Sequence, residues 1–154
     1  MKWNNVMEKV QIETFTVYGL TLRTANSLEM NPETANIPKH VQLVDSNIEI
    51  DYPSGARAYS VYTNYESDVN GFYDLLMGST EIASAKRKLQ SIDVVAGEYL
   101  KFDAEGEFPD AIIRAWQTAW AYFSSQDCKH SRAYTTDFEY YQSTNQVSVF
   151  IALK

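Results

Sequence analysis

One cysteine, four prolines and six glycines are all that the sequence contains of the residues that staple, break or loosen a chain. The lone Cys128 has no partner for an intramolecular disulfide, and no CxxC or mixed Cys/His array accompanies it. Redox chemistry and a structural metal are therefore not expected, and no metal ligand or cofactor is assigned. Basic charge is also scarce. Thirteen Lys and Arg against twenty Asp and Glu leave a net charge of -7, and nucleic-acid affinity rests largely on clustered Lys and Arg. The single basic run, Lys86-Arg87-Lys88, reads as a solvated loop. No direct nucleic-acid contact is expected, and the acidic balance suits a cationic partner.

Long apolar runs are missing too. The longest stretches, 119–123 and 147–153, fall far short of the ~20 residues that cross a bilayer. Residues 1–10 carry Lys2, Glu8 and Lys9 but no apolar leader core. A cytoplasmic protein without membrane contact is the expectation. Enzyme signatures are equally sparse: no GxSxG elbow, P-loop, GxGxxG or HExxH occurs. His40 and His130 read as isolated surface histidines, and Cys128-Lys129-His130 places thiol and imidazole on side chains that tend to diverge. No catalytic residue is assigned, and the chain is not expected to be an enzyme.

What the chain does have is aromatic surface and alternation. It has the length of one domain, spanning 1–154, with 45% hydrophobic residues, eleven Tyr, seven Phe and three Trp. Residues 10–24 are rich in β-branched and aromatic side chains and predict one long strand. Asn31-Pro32 offers an N-cap and a first-turn proline for a helix continuing through Ile37, Val41 and Val44, with Pro38 an awkward interior residue. Residues 58–65 and 72–82 predict a hairpin whose turn ends in Asn70-Gly71. The same order recurs: strand 92–104, helix 109–125, strand 134–141, a turn at Ser143-Thr144-Asn145 and strand 146–153.

The chain is thus a β-α-β-β unit written twice, over about 10–82 and 92–154. Gly19 and Gly97, Pro32 and Pro109, Tyr59 and Tyr134, and Tyr73 and Val147 correspond at a separation that shrinks only slowly along the chain. In the second helix Ile113, Trp116, Trp120 and Phe123 recur at helical spacing, which predicts one buried apolar face. The economical arrangement is an α+β fold, an antiparallel sheet with two helices on one face and a ligand groove between them.

Within Asp137-Phe138-Glu139-Tyr140-Tyr141, alternation puts Asp137, Glu139 and Tyr141 on one face and Phe138 and Tyr140 on the other. That pattern leaves open whether Glu139 meets solvent or lies in the groove. In the groove it would be a countercharge for a cation, strengthened by the low local dielectric and by cation–π contacts of ~0.5–2 kcal/mol each. The aromatic candidates to line such a site are Tyr18, Tyr62, Tyr73, Trp116 and Tyr141.

Several segments resemble a known family. Tyr59-Ser60-Val61-Tyr62-Thr63-Asn64-Tyr65-Glu66-Ser67-Asp68, then Asn70-Gly71 and Leu75-Leu76-Met77-Gly78, look like the first hairpin of gyrase-inhibitor-like effector-binding domains. Val95-Ala96-Gly97-Glu98-Tyr99 is similar to the segment that opens their second repeat. Ala115-Trp116-Gln117-Thr118-Ala119-Trp120 and Asp137-Phe138-Glu139-Tyr140-Tyr141 match their helix and following strand. The resemblance covers residues 10–154 in order and is closest to the integron-associated effector-binding proteins. These are single domains similar to the ligand-sensing halves of multidrug-responsive transcription regulators.

The resemblance implies the doubled fold and binding of lipophilic, cationic aromatic drugs or effectors in a groove centred on Glu139, for sensing or sequestration. It departs from those regulators in showing no helix-turn-helix pattern, and in carrying His40-Val41-Gln42-Leu43-Val44 where a first-helix Trp or Phe is common. A homodimer or a separate DNA-binding partner is compatible with it. Two other functions stay open. One is a small-molecule hydrolase using Glu139 as acid or base, with Tyr134, Asp137 or Tyr62 as the second polar group. The other is a gyrase-inhibitor-like interaction protein.

Overall fold

The computed structural model describes residues 6–154; residues 1–5, the start of the segment read as lacking a leader, lie outside the described residues. The chain runs β1 (Glu8–Ile12), β2 (Phe15–Ala25), α1 (Asn26–Glu29), α2 (Ile37–Asn47), β3 (Ile48–Ile50), β4 (Ala58–Thr63), β5 (Phe72–Ser79) and β6 (Ile82–Ala85). It continues with β7 (Gln90–Val94), β8 (Gly97–Glu105), α3 (Asp110–Phe123), β9 (Thr136–Ser143) and β10 (Gln146–Ala152). Eight strands form one antiparallel sheet in the order β1-β8-β10-β9-β4-β5-β2-β7, while β3 and β6 pair separately.

That order is symmetric. Exchanging β2, β4 and β5 for β8, β9 and β10 and β1 for β7 maps the sheet onto itself, and the two halves join where β4 pairs with β9. The two long strands read from sequence are each two strands. The first breaks at Glu13-Thr14 and the second at Val95-Ala96, so that each leading piece pairs with the opposite repeat, β1 with β8 and β7 with β2. Patterning could not show this, because both pieces keep the same alternation. Only two residues connect β1 to β2, which limits that gap to about 11 Å, yet the two strands lie near opposite ends of the sheet order. The sheet must therefore curl until its edges approach. Thr14 ties the crossing by donating to the Val94 carbonyl at 2.7 Å. At the β2–β5 contact Gly19 faces Gly78, and a Cβ on Gly78 would lie 1.8 Å from the Tyr18 carbonyl oxygen, so that approach requires glycine.

The curl encloses one core, including Val17, Val61, Leu76, Tyr99 and Phe138, in which Phe138 stacks on Phe150 with ring centroids 4.4 Å apart. The other face of the sheet carries α3 over Leu100, Phe102, Val149 and Ile151. The helix contact differs from the expected aromatic stripe. Ala111, Ala115, Ala119 and Tyr122 are the residues pressed fully onto the sheet. Ile113 is 47% exposed and Trp120 and Phe123 are half-buried. Small side chains bring the helix close; Trp116 is buried in the same core beside them, and both it and the half-buried Trp120 border a groove shared with α2.

The first helix also begins later than Asn31-Pro32 suggested. α2 starts at Ile37, which puts Pro38 in the first turn, where its missing N–H costs nothing. The Glu29 carboxylate accepts the Asn36 and Ile37 N–H groups at 3.0 and 2.9 Å, and so caps the helix from outside its own sequence. His40, expected at the surface, is buried with Nε2 2.8 Å from the Leu20 carbonyl oxygen. His130 is half-buried, with Nδ1 hydrogen-bonded to the Tyr122 hydroxyl. Lys86-Arg87-Lys88 is exposed, as expected of a loop. Among the described residues no helix is long and apolar enough to cross a membrane.

Candidate functional site

A groove of about 610 Å³ opens between α2 and α3. Ile37, Pro38 and Val41 form one wall, Trp116 and Trp120 the other, and Glu139 lies on the floor. The floor is set by the central strand pair. Ser60 and Tyr62 on β4 register with Glu139 and Asp137 on β9, so the acid comes from the join between the two repeats.

Glu139 is 3% exposed. Its Oε2 accepts from the Tyr62 hydroxyl at 2.7 Å and from the Trp116 indole N–H at 2.5 Å, and its Oε1 accepts from the Tyr141 hydroxyl. Tyr141 in turn hydrogen-bonds Ser60 at 2.8 Å. Burial pushes the Glu139 pKa above its ordinary value, and the bonds from Tyr141, Trp116, Tyr62 and Ser60 pull it partly back. Burial and the neighbouring Glu139 charge push Tyr62 and Tyr141 well above the usual phenol range, so both remain neutral donors. No cationic side chain among the described residues forms an ion pair with Glu139. The arrangement is a buried carboxylate held by neutral donors beneath an aromatic groove, which can balance an incoming positive charge.

Four of the five aromatic candidates converge here. Tyr62, Tyr73, Trp116 and Tyr141 line the groove, with the Tyr62 ring 5.3 Å from Tyr73 and 5.2 Å from Trp116 between centroids. Tyr18 does not join them. It is 41% exposed on β2, which is three strands from β9, on the order of 14 Å at ordinary strand spacing. Alternation shows which face a side chain takes but not how far across the sheet it lies.

Arg132 and Tyr65, which sequence reasoning did not select, complete the site together with Asp137 and Tyr134, which it named only as second polar groups for a hydrolase. Asp137 is fully buried, and its Oδ2 accepts from Arg132 Nη2 at 2.6 Å and from the Tyr65 hydroxyl at 2.5 Å; its Oδ1 takes the Ala152 N–H. Burial is the largest single influence and works against the Arg132 charge, but Asp137, Tyr65 and Tyr134 together outweigh it, so the guanidinium's pKa stands above its ordinary value. Arg132 and Tyr134 line the groove beyond Glu139, with the guanidinium carbon 4.4 Å from the centre of the Tyr134 ring. Arg132 lies in an irregular stretch before β9 and had no periodicity to mark it. Tyr65 stood within the hairpin motif but beyond the strand's end, and only the fold carries it to Asp137.

A curled, duplicated β-α-β-β sheet with a helix-walled groove at the repeat junction is the architecture of an effector-binding domain. The chain belongs to the integron-associated effector binding proteins, whose family model matches residues 9–153. It is 37% identical to an integron cassette protein from the mobile metagenome of Vibrio cholerae. That crystal structure superposes with a TM-score of 0.85 over 97% of this chain and 96% of the other. It is also 28% identical over 148 residues to a putative transcriptional regulator, YobU, of Bacillus subtilis strain 168, covering 88% of this chain and 90% of that protein. A more distant structure, solved with tetraphenylphosphonium bound, shares the fold at 15% identity and a TM-score of 0.61, over 96% of this chain and 93% of the other.

Proposed function

We propose that the groove captures small amphipathic cations with aromatic surface, and that Glu139 is their countercharge. The observation that carries this reading is the buried Glu139 carboxylate, held by neutral donors, Tyr62, Trp116 and Tyr141 first among them. A buried carboxylate is costly unless it is compensated. Neutral donors orient it without cancelling its charge, and an organic cation entering over it would complete the compensation. The flanking rings of Tyr62, Tyr73 and Trp116 offer π faces to the same charge. The mouth is apolar as well: Met30, Val41 and Ile113 are exposed at the groove's edge, which suits a ligand whose body is hydrophobic. On this reading the chain is a sensor or sequestering module for such compounds, acting in the cytoplasm with any DNA contact made by a separate partner.

Tetraphenylphosphonium, seen in a structure of the same fold, is the natural first probe. Calorimetric titration with it, and with neutral triphenylphosphine oxide, tests the reading directly. Binding of the cation alone, without consumption of ligand over hours, supports an effector site. Equal binding of both would remove charge recognition, and turnover dependent on Glu139 would favour a hydrolase.

A further inference from the structure

One residue that lines the groove carries an orphaned polar group. Among the described residues, Arg132 Nε is the single buried side-chain nitrogen or oxygen with no hydrogen-bond partner. The Arg132 side chain is 7% exposed, and its Nη2 is committed to Asp137. Such a donor is costly to leave unpaired in a folded interior, and its residue, Arg132, lines both the main groove and a second cavity of about 580 Å³. Trp120 and Tyr134 also line both spaces, so the two cavities are neighbours with Arg132 among their shared residues.

Geometry also gives the spacing. Asp137, which holds Arg132, and Glu139 lie two residues apart on one face of β9, about 7 Å along the strand. The Arg132–Asp137 pair is neutral as a unit, so it does not repel a cation seated at Glu139. What it lacks is an acceptor, and a guanidinium edge suits a planar carbonyl or carboxylate oxygen. The Tyr134 ring stacks over this guanidinium, and Tyr134 holds a backbone φ of 55°, which is uncommon for a residue with a Cβ.

We propose that the groove is a two-point site: it takes a cation over Glu139 and, on the same ligand, a carbonyl-type oxygen at Arg132 Nε. The ligand class is then an aromatic cation that also carries an ester, amide or carboxylate, rather than a cation of hydrocarbon alone. This rests on the proposed function and adds to it the second recognition element.

Three dyes with the same tetraethyl xanthene cation test it: a rosamine with an unsubstituted phenyl ring, the ethyl ester of rhodamine B, and rhodamine B itself, whose phenyl ring bears a carboxylate. Affinities come from fluorescence polarisation with the wild-type chain and with Arg132→Lys, which keeps a charge for Asp137 but lacks the Nε donor. The wild type is expected to bind the ester about tenfold more tightly than the rosamine. Arg132→Lys should lose that preference, so that its own affinities for the ester and the rosamine become equal. Rhodamine B shows whether a carboxylate serves as well as an ester: binding at least as tight as the rosamine supports the subsite, and rejection of both oxygen-bearing dyes overturns it. Equal wild-type binding of ester and rosamine overturns it too, as does a preference that survives Arg132→Lys. Should Arg132→Lys fail to fold, Tyr134→Phe and Tyr134→Ala provide the second arm. Uncovering the guanidinium in Tyr134→Ala should raise the ester-to-rosamine ratio, and an unchanged ratio counts against the proposal. Failure of all three dyes to bind the wild type would instead strike the cation-binding reading beneath it.

Discussion

The Trp116 indole N–H donates to Glu139 Oε2 at 2.5 Å, joining α3 to the strand at the centre of the sheet. One hydrogen bond thus couples the position of a groove wall to the charge on the groove floor. Four consequences can be measured.

Glu139→Gln should retain the fold and weaken organic cations by about 1–3 kcal/mol, the range for a charged partner in a desolvated site. Neutral aromatic ligands should shift far less, because the rings of Tyr62 and Trp116 remain. Calorimetric titration of the two ligand types against both chains reads the difference, and equal losses for both would mean that Glu139 shapes the groove without recognising charge.

Trp116→Phe should remove one donor from Glu139, leave its carboxylate less well compensated, and cost about 1–3 kcal/mol in urea unfolding. In the wild type a cation seated on Glu139 lies against this indole, so ligand should quench or shift tryptophan emission. Most of that signal should vanish in Trp116→Phe while Trp120 remains. Retention of the full signal would place the ligand nearer Trp120.

The pH dependence follows from the raised Glu139 pKa, whose first cause is burial. Between the ordinary glutamate value and the raised folded value the native chain holds more protons than the unfolded one. Stability from this group is therefore present below the unfolded pKa and lost as pH rises through the folded pKa. Glu139→Gln should lack that loss. Cation affinity runs the other way, rising with pH as the carboxylate ionises, and binding within the window should release protons. Titrations between about pH 4 and about pH 8, in buffers of different ionisation enthalpy, measure both. Flat affinity with no proton release would mean that the ligand does not contact the titrating group.

The buried Arg132–Asp137 pair predicts a different kind of sensitivity. Arg132→Met strips Asp137 of its only charged partner among the described residues, while Tyr65 and the Ala152 N–H remain. Loss of one member of a buried pair costs about 3–5 kcal/mol, and the remaining donors place the expected cost near about 3 kcal/mol. Chemical denaturation would show it, and a loss below about 1 kcal/mol would mean that the pair is solvated in solution.

Much of the architecture was legible because it depends on local patterning. Alternation through Asp137-Phe138-Glu139-Tyr140-Tyr141 assigned the two faces of β9 correctly, with Phe138 in the enclosed core and Glu139 and Tyr141 at the groove. The repeated order of strand, helix and hairpin showed the duplication, although the paired landmarks are not equivalent positions, since Gly97 opens β8 where Phe15, not Gly19, opens β2; the Asn70-Gly71 turn showed the hairpin that β4 and β5 form. The family motifs drew attention to Glu139 itself. Each of these signals resides in side-chain period, turn chemistry or ordered motifs, which the chain carries whatever its distant parts are doing.

What only the tertiary structure decided depends on distance across the sheet. Period-two patterning is blind to a break that preserves it, so the exchange of β1 and β7 between repeats, and the curl it forces, were invisible in sequence. Helical period likewise marked the indoles of α3 as apolar. How far they pack on strands or border a groove was settled by the fold: the alanines at Ala111, Ala115 and Ala119 let the helix sit close, with Trp116 buried beside them at the groove's edge and Trp120 half-buried. Tyr18 and Tyr62 had equal standing as aromatic strand residues, and their positions in the strand order separated them. Arg132, with no pattern of its own, entered the site solely because the fold buries it against Asp137.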